Sequence, residues 1–393
     1  MNKVNHLGVL VAIGAAALVT TLIVLGSQGL RHFDWALLPY ALATVFCATG
    51  VAYRCTAWLQ RPPTKRYWRQ SWRLYRAGRI LPNTTYVGQF AVNNFAAQRF
   101  IAQRGRMRWV AHLCLSWGSL MAFAITFPLV FGWIHFETPA DDLSTYHVVF
   151  LGMKVQEFPA HSIIAFLTFN ALNISAVLVL IGVCLALYRR LTDGGALALQ
   201  RFGLDIVPLL VLFVVAASGL GLTISAHWLQ GRGFGFIALA HAAAVIILLV
   251  SLPFGKLFHI FQRPLHLGVG LYKRVGQAGP QAPCGRCGEP FASQLHVNDL
   301  KHVLSELAIE NQLDGPVEHY QEICPPCRRR LLALNQGRAL QKAGNWGGKE
   351  TGKRGNGETG KEEDGGPCSQ ILFSGSPPRR FSDSDTSRLP AES

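Results

Sequence analysis

The chain has 393 residues, 50% hydrophobic and 15% charged, with a mean hydropathy of +0.24 and a formal net charge of +15. Those values argue against a globular enzyme and for a membrane protein with a soluble appendage. The positive balance reads as membrane topology and attraction to anionic lipid, so nucleic acid is not an expected partner.

Six stretches are long and apolar enough to span a bilayer, at about 7–28, 35–53, 109–133, 159–187, 205–228 and 236–258. The first is read as an uncleaved anchor over 1–34, because its apolar run outlasts a usual signal core and no clean Ala-x-Ala site follows. Between the second and third spans, residues 54–108 hold twelve Arg or Lys and no Asp or Glu, which marks a cytoplasmic loop. Within it Trp68, Trp72 and Tyr75 follow helical spacing, with Arg66, Arg69, Arg73 and Arg76 on the other side. This predicts a helix lying among lipid headgroups, rings inward and guanidinium groups toward phosphate. The loop at 134–158 carries Glu137, Asp141, Asp142 and Glu157 against Lys154 alone, as an outside loop would; His135 and His147 there are expected to be solvated or lid residues. Arg189, Arg190 and Arg201 follow span four, and Lys256, Arg263, Lys273 and Arg274 surround the end of span six. Both chain ends are therefore expected in the cytoplasm.

Histidines inside spans carry the chemistry. His241 and His259 are 18 residues apart in one apolar run. At ~3.6 residues per turn and ~1.5 Å rise they would share a helix face roughly 27 Å apart, one near each edge of a ~30 Å hydrocarbon layer. Ionisable groups in a span are costly and usually functional, and imidazole is a common axial ligand of haem iron. His112 enters span three from the basic loop, at the depth of His259, so the two can grip one iron. His241 would serve an outer haem, with His161 or His227 as its partner; either of these could instead meet a quinone headgroup. One haem and two haems both remain open.

From about 275 the composition turns polar, and a small module spans 275–340. Its Cys284-x-x-Cys287 and Cys324-x-x-Cys327 pairs can present four thiolates tetrahedrally to Zn²⁺, with iron as the alternative. Residues 299–313 between the pairs are read as an amphipathic helix with Leu300, Val303, Leu304 and Leu307 on one side. Residues 341–393 are rich in Gly, Lys, Glu and Ser and are expected to be disordered.

The membrane region over 35–265 resembles the respiratory nitrate reductase gamma subunit and its relatives in heterodisulfide-reductase and sulfite-reductase-associated complexes. The residues that carry the likeness are Pro253-Phe254-Gly255-Lys256-Leu257-Phe258-His259 with His241 eighteen earlier, His112, the Arg189-Arg190 pair, and Gly203-Leu204-Asp205-Ile206. Where the family has a second histidine on the helix of His112, this chain has Ala122; span 7–28 is an addition to the family core. The resemblance implies a five-helix cytochrome b core holding haem b, one or two. It also implies electron exchange between membrane quinone (menaquinone or ubiquinone) near the outer side and a cytoplasmic iron–sulfur oxidoreductase subunit. The setting it implies is a bacterial inner membrane. The fold expected is thus an all-α polytopic membrane protein of about six helices, followed by a zinc-ribbon-like cytoplasmic module and a tail. No dinucleotide fingerprint, phosphate loop or nucleophile triad stands in the chain, so substrate chemistry falls to a partner. Two rival readings are a transporter whose histidines relay protons and a membrane scaffold whose zinc module recruits a partner.

Overall fold

The computed structural model describes residues 5–30, 33–78, 80–139, 142–195, 200–309, 311–313 and 317–347. Six helical segments are long and apolar enough to cross a membrane, and the chain is a multi-pass membrane protein. They are α1 (His6–Gly26), α2 (Leu38–Leu59, entered through a 3₁₀ turn at Trp35–Leu37), α6 (Arg106–Val130), α7 (Ile163–Thr192), α8 (Val207–His227) and α9 (Phe234–Ser251). Phe236, Leu239 and Ile163 are 79%, 70% and 74% exposed, a surface that lipid tolerates and water does not.

Each span packs on a sequence neighbour or on α2: α1 on α2, α2 on α9, α9 on α8, α8 on α7 and α7 on α6. Phe123 and Phe127 of α6 close the ring against Cys47, Leu249 and Leu252. Small residues set the closest approach. A side chain at Gly118 would meet the Ser175 carbonyl of α7 at 2.9 Å, so Gly118 serves helix packing.

On one side of the bundle the α6–α7 connection is a three-stranded antiparallel sheet, β1 (Ile134–Glu137), β2 (Thr145–Phe150) and β3 (Met153–Pro159). The connection expected as an outer loop over 134–158 thus carries regular structure. The run Thr145-Tyr-His-Val-Val-Phe150 is β-branched and aromatic, and Leu151-Gly152 both take positive φ (49° and 84°), as a tight hairpin turn demands. Phe136, Tyr146 and Phe158 seat the sheet on Phe169 of α7.

The other side carries the basic connection. Helix α3 (Pro62–Ala77) forms where the Trp68, Trp72 and Tyr75 spacing places it, followed by α4 (Ile80–Ala91), a π turn (Val92–Ala96) and short α5 (Arg99–Ala102). After α9 come a 3₁₀ turn at Lys256–Phe258, α10 (His259–Leu265) and α11 (Leu267–Ala278), which packs along α3. The cysteine module follows: β4 (Gln281–Pro283), β5 (Pro290–Ser293), α12 (Gln294–Glu306) and the start of α13 (Pro325–Gly347).

Two boundaries differ from expectation. The helix expected over 299–313 begins at Gln294, where the Ser293 hydroxyl accepts the His296 N–H at 3.3 Å, and ends at Glu306. Leu307 lies beyond it, 43% exposed. Residues 341–347, expected within the tail, are the last turns of α13; the rest of that expected tail, 348–393, lies outside the described residues. Residues from Arg330 onward form a unit distinct from Met1–Arg329.

Candidate metal centres: a histidine pair and a four-cysteine cluster

The apolar run from 236 to 259 is two helices and a break. α9 stops at Ser251; Pro253 has no N–H to continue the ladder, and the Phe254 and Gly255 N–H groups both turn back to the Ser251 carbonyl, at 3.0 and 3.1 Å. The break is packed: a side chain at Gly50 of α2 would meet Pro253 at 2.9 Å, and Arg54 donates to the Pro253 carbonyl. His241 and His259 therefore stand on different helices, and the shared-face argument from five unbroken turns does not apply.

The break itself brings two predicted residues together. His259 opens α10 and faces His112 of α6, with ring centroids 6.3 Å apart and planes at 60°. Each ring uses Nδ1 locally: His112 Nδ1 is 2.7 Å from Gln98 Oε1, and His259 Nδ1 is 2.7 Å from the Lys256 carbonyl. Donation from Nδ1 fixes the tautomer that leaves Nε2 as the free donor to a metal. Two imidazoles holding one ion from opposite sides through ~2.1 Å bonds have centres roughly 6 Å apart, which is the ring spacing of this pair. Gln98 is itself held: it takes a left-handed conformation (φ 50°), is 5% exposed, and its amide donates to Ser116 at 2.6 Å.

Among the described residues, the other histidines named as candidate ligands, His241, His161 and His227, have no ring contact with this pair. His241 Nδ1 lies 3.0 Å from the Ser218 hydroxyl of α8, and a side chain at Gly219 would approach its ring at 3.4 Å. His161 and His227 are exposed, and among the described residues neither has a ring contact with His241. On the sheet, Glu137, His147 and Glu157 are in register across the three strands. Lys154 bridges His147 at 2.9 Å and Glu157 at 2.7 Å, and His135 meets Glu137 at 3.0 Å.

The four cysteines assemble as their spacing predicts. The sulfurs of Cys284, Cys287, Cys324 and Cys327 all lie within 4.8 Å of one another, and could hold a metal ion. Zn–S bonds of ~2.3 Å in a tetrahedron place sulfurs about 3.8 Å apart, and Cys287 and Cys324 are at 3.7 Å. The first knuckle is tied by Cys284 N–H to the Glu289 carbonyl and Gly288 N–H to the Cys284 carbonyl, both 2.8 Å. Gly288 supplies the positive φ of 76° that turns the chain, and Gly285 lets Val317 approach where a side chain would meet it at 2.7 Å. Burial works against ionising Cys284, yet N–H groups of Cys324, Cys287 and Arg286 outweigh it and bring the thiol down to about 6. Cys327, hydrogen-bonded to Cys324, partly desolvated and close to Cys287, is pushed up to about 12.

The module is joined to the membrane body by a buried carboxylate that sequence reasoning missed. Asp299 of α12, 1% exposed, accepts from Arg66 Nε of α3 at 2.7 Å and from the Tyr272 hydroxyl of α11 at 2.9 Å. Burial, and then Asp299 itself, raise the Tyr272 pKa well above its ordinary value, so the phenol stays a donor. Tyr67 packs edge-on against Tyr272 at 5.2 Å and stacks by His296 at 6.1 Å. Arg66 was expected to face lipid phosphate; it faces the module, where it meets the Asp299 carboxylate. Lys301 pairs with Glu322, two residues before the second knuckle.

Searches of protein-family models, curated proteins and solved structures each found no match to this chain.

Proposed function

We propose that this chain is a b-type cytochrome subunit of a bacterial inner membrane, passing electrons between the quinone pool and an iron–sulfur oxidoreductase subunit in the cytoplasm. The observation that carries the reading is the pairing of His112 with His259, each with Nδ1 occupied and Nε2 left for a metal. A haem b held there would supply a one-electron carrier. Around it Gln98 and the Lys256 carbonyl hold the imidazoles in position, and Arg263, close enough to His112 to act on it electrostatically, offers positive charge to porphyrin carboxylates. The positive-inside rule puts this pair, the basic α3 and the cysteine module on the cytoplasmic side, where a soluble partner can dock.

On the opposite side His241 is the candidate ligand of a second haem, and His161, His227 and Lys154 are candidates to meet menaquinone or ubiquinone. The resemblance of the sequence to nitrate reductase gamma subunits supports this exchange of electrons. At the cysteine cluster we assign a structural Zn²⁺, with iron as the alternative. A second reading, a membrane scaffold whose zinc module recruits a partner, is favoured by one observation. The buried Arg66–Asp299 contact fixes the module to the membrane body whether or not haem is present.

Purified protein expressed with ample haem supply should give a b-type reduced-minus-oxidised spectrum, with a pyridine haemochrome count of one or two per chain. A colourless protein with full Cys₄ metal content would reject the cytochrome and leave the scaffold.

A further inference from the structure

Helix α3 divides its side chains between two duties. Arg66 is bound to Asp299, Arg76 lies over the Trp72 ring at 5.0 Å, and Arg73 reaches Gln70 at 3.3 Å. Arg61, Lys65 and Arg69, spaced i, i+4, i+8 along one stripe, are exposed and have no ion pair among the described residues. No carboxylate of α3, α4 or the intervening loop is available to them, since residues 54–108 contain none. Three neighbouring cations are thus unmatched among the described residues.

Beside that stripe, past the exposed Trp68 and Trp72, α3 forms one wall of a cavity of about 130 Å³. The end of α2 (Trp58) and the α10–α11 junction (His266, Val269) close it, with Pro63, Thr64 and Trp68 from α3. The lining carries no charge at neutral pH: burial, and then Arg263, lower the His266 pKa, and its ring sits edge-on to Trp58 at 5.6 Å. Pockets that enclose a drug-sized ligand start at ~300 Å³, so this one suits a slim chain segment and is too small to enclose a quinone ring with its substituents. An apolar slot beside free cations, on a helix flanking the end of a span, matches one molecule that a membrane supplies.

We propose that α2, α3 and α11 form a binding site for one anionic phospholipid, its phosphate on Arg61, Lys65 and Arg69 and the upper methylenes of one acyl chain in the Trp58–His266 cavity. Tyr67 lines the same cavity and touches Tyr272 and His296, so the bound lipid also buttresses the seat of the cysteine module. The assignment rests on the membrane-spanning fold and is independent of haem.

The test is native mass spectrometry of the full-length protein released from nanodiscs of mixed phosphatidylglycerol and phosphatidylcholine. We expect one phosphatidylglycerol per chain to survive delipidation. Lys65→Gln with Arg69→Gln, removing two cations, should weaken its retention about 30-fold. Thr64→Trp, which fills the slot, should abolish retention, with Val269→Phe as the substitute if Thr64→Trp does not fold. Full Cys₄ metal content and unchanged helical circular dichroism certify each variant. Retention that ignores the slot-filling variants, retention of phosphatidylcholine alike, or a retained molecule with quinone absorbance would each overturn the site. A colourless protein that still holds the lipid would reject the cytochrome and leave this site standing.

Discussion

The two candidate metal centres are built by opposite routes. In the cysteine module the ligands arrive in pairs, each on a short turn, and N–H groups from both turns point at the Cys284 sulfur: Arg286 N–H at 3.5 Å and Cys324 N–H at 3.2 Å. A small apolar group, Ala282, Val297, Val303, Val317 and Ile323, is buried in the module, and a bound ion would tie the two turns together. His112 in α6 and His259 at the start of α10 come from helices far apart in sequence, and each is aimed by a single hydrogen bond from its Nδ1 to an oxygen of a neighbouring segment. Their meeting depends on the break at Pro253 and on Gln98 in its left-handed turn, both fixed by helix packing. Metal makes the first site; the fold makes the second.

That contrast yields a ranked set of outcomes. Cys324→Ser should lose the bound ion entirely and unfold the module, since structural zinc contributes on the order of 10–16 kcal/mol in small zinc modules. Metal analysis together with proteolysis within 280–330 reads this out, and an intact, protease-resistant module without metal would contradict it. Asp299→Ala comes next. Breaking a buried ion pair costs about 3–5 kcal/mol, and the lower end applies because the Arg66 side chain keeps 29% exposure. Faster amide exchange in α12 with unchanged metal content is the expected signature; unchanged exchange would mean that the carboxylate does not fasten the module.

In the membrane site, Gln98→Leu should leave the helices intact and weaken haem retention by about 10–100-fold, the usual loss when a partner of a ligating histidine is removed. Dialysis against a haem acceptor measures it, and wild-type retention would show that Gln98 does not orient His112. The smallest effect concerns acid. Without metal, Cys284 stands as thiolate at neutral pH and is protonated as pH falls through about 6. A bound ion competes with protons for all four thiolates, so a chromogenic chelator should detect no release between pH 7 and 8 and release only on acidification. Release already at pH 7.5 would contradict the hydrogen bonding assigned to that knuckle.

The same contrast explains what could be read from the chain. Spans and the four cysteines were legible because hydropathy and Cys-x-x-Cys spacing are local signals, and so was α3, whose tryptophans and arginines separate by helical face. The break in the last span was not. Residues 252–258 keep an apolar character, and membrane helices tolerate proline, so composition does not distinguish a kinked helix from two helices. Gln98 had no signal at all: its role follows from a turn that only the packed bundle defines. Asp299 stood only at the start of the expected helix over 299–313, because nothing in its neighbourhood announces Arg66, far upstream in sequence. The sheet at 134–159 was hidden by its short strands, although Leu151-Gly152 between β-rich runs was a usable hairpin cue.

The pairing of His112 with His259 is the central claim, and one measurement addresses it most directly. Record reduced-minus-oxidised spectra of the wild type, His112→Ala, His259→Ala and His241→Ala, each with its Cys₄ metal content. The account predicts that either His112→Ala or His259→Ala removes the same b-type band, while His241→Ala leaves that band in place. A wild type without the band, or a band that persists when both His112 and His259 are gone, would contradict it.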